Sequence, residues 1–399
     1  MGSELLIHQS AFSIQHSAFT QMASHAEQTG SKARFWNLRV WHGMTMGAWF
    51  SMLARNRFAI SPSRVPMAVV ISLASVANSL LALVQRLLLG RRIARTPLDE
   101  SPIFVIGHWR SGTTLLHELL TLDERHTYPD TYACLAPRHF LISRYVFPWC
   151  LRILLPKRRP MDNLAVGWDR PQEDEWALAT MGVPSPYVAI AFPNRLPQYP
   201  EYADLAGVPA GDLDRWRRAF VWFLKCVSFP SPKRIVLKSP LHTCRIEALL
   251  EIFPDARFMH IVRDPYTVYP STIRLWKRMS ADQGLQVPAL EELEESVLAT
   301  FNRMYETFES TRHKIKPGRF CEVRYEDLVD DPIGQMQRIY QALELGDFDK
   351  VLPAIQRYAA GMSEFTTNRY QLSPPERDAV ARRWGAFFDR YGYARKAAA

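Results

Sequence analysis

Ile103-Phe-Val-Ile-Gly107-His-Trp-Arg110-Ser111-Gly112-Thr113-Thr114-Leu-Leu-His117-Glu-Leu-Leu120 decides the fold of this chain. The apolar run Ile103 to Ile106 enters a glycine as a short buried strand does. Gly112 closes the loop, and Thr113 to Leu120 has a helical pattern opened by two hydroxyl residues. Strand, glycine loop and helix start aim several backbone N–H groups at one spot. The helix N-terminus adds its partial positive charge there, which suits a phosphate or sulfate group.

The loop nearly matches G-x-x-x-x-G-K-[ST], the cradle of nucleoside triphosphates. Gly107 and Gly112 have the right spacing, but Thr113 stands at the lysine position. Without that lysine a P-loop kinase is the weaker reading, and a cradle for a smaller anionic group is the stronger one. Arg110 adds a positive charge inside the loop.

Strands alternate with helices through the rest of the chain. Residues 233–238 read as a second strand ended by Ser239-Pro240, followed by a helix from Leu241 to Phe253. Residues 257–262 form a third strand, closed by Arg263-Asp264-Pro265 and followed by a helix to Arg278. A long helix over 287–314 leads to a fourth strand, 319–324, and to Tyr325-Glu-Asp-Leu. Further helices are expected at 333–343, 348–360 and 374–391. The pattern predicts an α/β fold, a P-loop-type parallel sheet with helices on both faces. Ligands of such sheets bind at the carboxyl ends of the strands. Gly107, Lys238, Arg263 and Tyr325 all lie at those ends and can converge.

Around this domain, placed at 99–399, the sequence predicts a disordered 1–30 and a helical extension over 31–98. Met67 to Val84 is mostly apolar but holds Ser72, Ser75, Asn78 and Ser79. Arginines flank it at Arg64 and at Arg91-Arg92, so no transmembrane orientation is favoured. A helical pair lying on a membrane surface, or packed on the enzyme, fits better than a span. Further on, Asp169, Pro171 and Gln172 read as the cap, first turn and capping box of a buried helix. The stretches 128–149 and 182–200 are rich in proline or aromatic residues and are expected over the site, the second of them as loop.

With 399 residues, 47% hydrophobic and 22% charged, the composition is globular. The net charge of +9 suits an anionic ligand or an acidic membrane surface. No basic cluster sits in a nucleic-acid module, which ranks nucleic acid last as a partner. The five cysteines lack C-x-x-C spacing, which points to reduced thiols in a cytoplasmic protein. No histidine or carboxylate cluster suggests a metal.

Arg110-Ser111-Gly112-Thr113-Thr114 resembles the 5′-phosphosulfate loop of sulfotransferases that use 3′-phosphoadenosine 5′-phosphosulfate (PAPS). Arg263 and Ser271, eight residues apart, resemble the pair that contacts the 3′-phosphate in that family. Val323-Arg-Tyr325-Glu-Asp-Leu-Val329 resembles the segment whose tyrosine reaches the same nucleotide. The resemblance covers about residues 100–345. It implies in-line transfer of a sulfuryl group to a hydroxyl or amine, with no metal. Arg110 and Lys238 would stabilise charge on the leaving phosphate.

The general base is where the chain departs from part of the family. Cytosolic small-molecule sulfotransferases carry Lys-Thr-His on the second strand; here it is Lys238-Ser239-Pro240, with His242 two residues on. The chain is therefore more similar to the carbohydrate and tyrosylprotein branch, where the base is acidic. Glu173, Glu175 and Asp130 are the acidic candidates, Glu173 first. Capping and helix-dipole duty is the plain alternative for the two glutamates. Alcohol, sugar, lipid and peptide tyrosine all remain open as acceptors, with a tilt toward a lipid-like one. A membrane-associated binding protein that keeps the fold without turnover is the reading from another class.

Overall fold

The structure, a computed structural model, describes residues 38–98, 101–145, 167–195, 197–362 and 371–395. The expected disorder of 1–30 and Cys150 lie outside the described residues. So does most of the irregular stretch around 160–168.

Five parallel strands form the sheet: β1 Ile103–Ile106, β2 His126–Thr127, β3 Arg234–Lys238, β4 Arg257–Val262 and β5 Phe320–Arg324. Their order is β2-β3-β1-β4-β5. β1 sits at the centre, pairing Val105 with Lys238 on β3 and with Met259 on β4. Side chains alternate across the sheet, so each strand feeds two cores. Ile103 and Val105 pack on one face with Leu116, Val236 and Ile261. Phe104 and Ile106 pack on the other with Leu237, Phe258 and Phe220. β2 escaped the sequence reading because two residues carry no period.

A third core ties the N-terminal helices to the loop after β1. Trp41, Trp49, Met67 and Ile71 are buried together with Trp109, Tyr187 and Leu241. Residues Leu38 to Ala399 form one contact unit. The helices Met46–Arg55 and Val65–Ala94 are thus packed on the domain that follows them.

Several helices differ from expectation. No helix starts at Asp169: Asp130 and Pro171 form an antiparallel bridge, Gln172 N donates to Pro129 O (2.9 Å) and Thr131 N to Arg170 O (2.9 Å). Residues 170–172 pair with a neighbouring strand-like segment instead of winding. The helix begins at Asp174, with Glu173 as its N-cap residue. The span from Leu241 is a 3-10 turn, Pro240–Cys244, then an α-helix, Ile246–Ile252. The expected 374–391 helix breaks at Trp384 into Pro374–Arg383 and Gly385–Tyr391. The expected loop at 182–200 contains a short helix, Val188–Ala191.

Three histidines are held neutral in this packing. Burial pushes His42, His108 and His139 down from 6.5 to about 4. His108 Nδ1–H donates to Trp109 O (2.8 Å) and its ring packs on Phe301. The unfolded chain takes up these protons near pH 6.5, whereas the folded chain resists them until about pH 4. Their contribution is therefore complete above pH 6.5 and is lost as pH falls toward 4. Urea unfolding should weaken by on the order of 1 kcal/mol per histidine for each pH unit below that point. His139→Gln should flatten part of the slope; a midpoint unchanged between neutral and mildly acidic pH would contradict the buried neutral state.

Candidate active site

The loop after β1 turns tightly. Gly107 and Gly112 have φ of 141° and 104°, in the region that L side chains avoid. A Cβ at Gly112 would overlap the Tyr325 ring, and one at Gly107 would meet Ile261 O. Gly107 N–H donates to Thr243 Oγ1 (2.8 Å) and Ser111 Oγ–H to His108 O (2.7 Å), which fixes the loop from both sides. Gly112 is the N-cap of the helix Thr113–Thr121 and supplies no side-chain cap, so the first-turn amides meet no capping oxygen from it.

Arg110 adopts φ 70°, the left-handed conformation that costs a non-glycine residue energy. Its Nε–H donates to Ser271 Oγ (2.8 Å), on the helix Pro265–Gln283. Arg263, just past β4, donates to Arg110 O (3.2 Å) and lies 3.9 Å over the Tyr325 ring. Four residues from three strand ends and one helix thereby meet at the loop: Arg110, Arg263, Ser271 and Tyr325. Two guanidinium groups and an uncapped helix start form an electropositive cradle suited to more than one anionic group.

On the β3 side, Lys238 Nζ donates to Glu173 Oε1 (2.7 Å), and the two side chains are 3% and 15% exposed. Tyr187 O–H donates to Glu173 Oε2 (2.5 Å) and accepts from Trp109 Nε1 (3.2 Å). Burial and the Glu173 carboxylate push the Tyr187 phenol well above its usual value, so it stays a donor. Glu173 makes no cap hydrogen bond although it sits at the N-cap position; both its oxygens are turned to Lys238 and Tyr187. Glu173 also lines a cavity of about 270 Å³ walled by Trp109, Trp176, Tyr187 and Trp276. A second cavity of about 230 Å³ shares Trp109, Tyr187 and Trp276 with it and runs on past Val297 and Met304.

The other base candidates are engaged elsewhere. Glu175 is buried, accepting from Arg245 (2.5 Å) and Ser185 Oγ (2.5 Å). Asp130 caps the short helix Thr131–Leu135 through Ala133 N (2.7 Å) and pairs with Arg144 (2.9 Å). His242 is fully buried against Asp174 (2.9 Å), between Phe104 and Phe220. Thr113 is buried at the helix start and Thr114 half-buried beside it. The sequence singles out neither Trp109 nor Tyr187: Trp109 occupies a variable position of the Gly107–Gly112 motif, and Tyr187 is one aromatic among several in a stretch expected over the site.

Comparison with known proteins places the chain among relatives. A family model described as "Sulfotransferase family" matches residues 102–350. The omega-hydroxy-beta-dihydromenaquinone-9 sulfotransferase Stf3 of Mycobacterium bovis is 47% identical over 365 residues, 92% of this chain and 94% of that protein. The Mycobacterium tuberculosis protein of the same name matches equally. Among solved structures, sulfotransferase STF9 from Mycobacterium avium superposes with a TM-score of 0.62 at 18% identity, covering 89% of this chain and 98% of that one. Sulfotransferase STF1 from Mycobacterium tuberculosis gives 0.59 at 19% identity, covering 92% and 98%. At those identities the structural likenesses speak for the fold alone. The family match spans the loop, all five strands and Tyr325, and the chain belongs to the sulfotransferase family.

Proposed function

We propose that the protein transfers a sulfuryl group from PAPS to a hydroxyl of a lipid-like acceptor, with Glu173 as general base. One observation carries this reading: a carboxylate held by Lys238 and Tyr187 at the wall of an aromatic cavity, beside the anion cradle. The name of the 47%-identical relatives, which act on an omega-hydroxy menaquinone derivative, supports the acceptor class. An acceptor of that class resides in a bilayer, so the reaction takes place at a membrane surface. The free buried thiols Cys134, Cys226, Cys244 and Cys321 fit its cytoplasmic side.

The residues fit the donor. Ser111, Gly112, Thr113 and Thr114 would hold its 5′-phosphosulfate with their amides and hydroxyls. Arg263 and Ser271 would hold its 3′-phosphate, with Tyr325 supporting the Arg263 guanidinium. When bound, the donor supplies a sulfur whose bond to the phosphate oxygen breaks as the acceptor oxygen bonds to it.

Arg110 and Lys238 present fixed positive charge where negative charge grows on the departing phosphate. Glu173 accepts the acceptor's hydroxyl proton on a carboxylate oxygen; each oxygen keeps a free lone pair beyond its one hydrogen bond. Tyr187 holds the carboxylate toward the cavity and, through Trp109, toward the phosphate loop. The tryptophans exclude water, which would otherwise compete as acceptor.

Incubation with sulfur-35 PAPS and an omega-hydroxy prenylated quinol tests the proposal without magnesium. Label in an organic-soluble sulfate ester is the expected result; transfer only from ATP with magnesium, or none to any acceptor pool, would overturn it. Glu173→Gln keeps the side chain's size but leaves one acceptor oxygen for Lys238 and Tyr187 to share; it should lower kcat by about 10²–10⁴-fold with donor affinity held. Wild-type kcat in that variant would return Glu173 to a structural role. Arg263→Ala should raise the donor KM well beyond any loss of kcat at saturation, whereas equal losses would place Arg263 in the transition state.

A further inference from the structure

The Val65–Ala94 helix has one face fastened and one face bare. On the fastened face Asn78 Nδ2 donates to His42 O (2.6 Å) and Met44 O (3.0 Å), and Gln85 Oε1 accepts from Leu141 N (3.0 Å). Ser72 Oγ accepts from Trp49 Nε1 (2.8 Å), and Met67 and Ile71 are buried. On the bare face Leu73 is 70% exposed, Leu80 62% and Leu87 75%. Val69, Val76 and Val84 complete the stripe at steps of three and four residues. Isolated exposed leucines are ordinary, but a continuous stripe along a whole helix is not. Arg91 and Arg95 follow Leu87 at steps of four on the same face, both exposed. Residues 38–98 contain no aspartate or glutamate.

We propose that this face is a membrane-docking surface specific for bilayers with anionic lipids. The helix lies in the interfacial plane, its leucines among the acyl chains and Arg91 and Arg95 at the headgroup phosphates. Spanning is disfavoured because the helix would have to release Asn78, Gln85 and Ser72 from bonds made inside the protein. A second copy is disfavoured because Arg91 and Arg95 would be covered with no carboxylate among residues 38–98 to answer them. The surface stands on these observations alone; only its use rests on the lipid-acceptor reading. Leu38, Arg39 and Val40, in the same N-terminal layer, wall the cavity that holds Glu173. Docking then sets that cavity beside the membrane in which such an acceptor dissolves.

Flotation of the full chain with vesicles tests this. It should float with phosphatidylcholine containing about one third phosphatidylglycerol and stay behind with phosphatidylcholine alone, losing binding at high salt. Arg91→Gln with Arg95→Gln should weaken binding about thirtyfold. Leu80→Glu with Leu87→Glu should abolish it while melting temperature and affinity for adenosine 3′,5′-bisphosphate stay those of the parent. Absence of flotation, or flotation indifferent to the leucine variant, overturns the proposal. So does a dimer in sedimentation that Leu80→Glu dissociates, which assigns the face to a second copy. Resistance to an alkaline carbonate wash likewise overturns it, in favour of a span. Vesicle binding without any preference for a long-chain over a short-chain acceptor leaves the surface standing and removes the lipid-acceptor reading instead.

Discussion

Lys238 ends β3 with its side chain almost wholly out of water, and an ammonium so placed must meet a carboxylate or lose its charge. Glu173 answers it across 65 residues of chain. The surroundings follow from that constraint. The bridge between Asp130 and Pro171 keeps residues 170–172 extended and starts the next helix late, so that Glu173 stands at its mouth rather than inside it. Tyr187, buried and kept protonated by the same carboxylate, occupies the other oxygen.

The parallel sheet brings the second half of the site within reach. β1 lies between β3 and β4, so Lys238 and Arg263 flank the loop that begins at Gly107. Trp109 belongs to that loop and donates to Tyr187. The anion cradle and the Glu173 carboxylate are therefore joined by one short chain of hydrogen bonds. A group bound in the cradle and a hydroxyl beside Glu173 would share a single rigid frame, which is how positioning contributes to group transfer.

Much of this was legible from residue order. Gly107 and Gly112 carry backbone requirements that few other residues satisfy, and two hydroxyl residues open the helix after them, so the loop could be read directly. Arg263, Ser271 and Tyr325 were legible because each directly follows a strand or lies in the helix after one. Asp169 misled because a good cap sequence was overruled by pairing with residues 129–131, a tertiary contact with no local mark. Glu173 ranked first in sequence, with Glu175, Asp130 and His242 beside it as candidates. Only the placement of Arg245, Arg144 and Asp174 against them separates them from it. The tryptophan and tyrosine that complete the site are ordinary core residues until the fold sets them beside Glu173.

The proposed sulfuryl transfer requires the cradle and the Lys238–Glu173 pair to form one preassembled site. A crystal structure of the protein with adenosine 3′,5′-bisphosphate tests it most directly. The expected result is the 5′-phosphate on the amides of Gly112 to Thr114, the 3′-phosphate on Arg263 and Ser271, and Glu173 still hydrogen-bonded to Tyr187 beside an open cavity. A nucleotide bound away from the Gly107–Thr114 loop, or a Glu173 carboxylate swung out of the cavity when the nucleotide is in place, would contradict it.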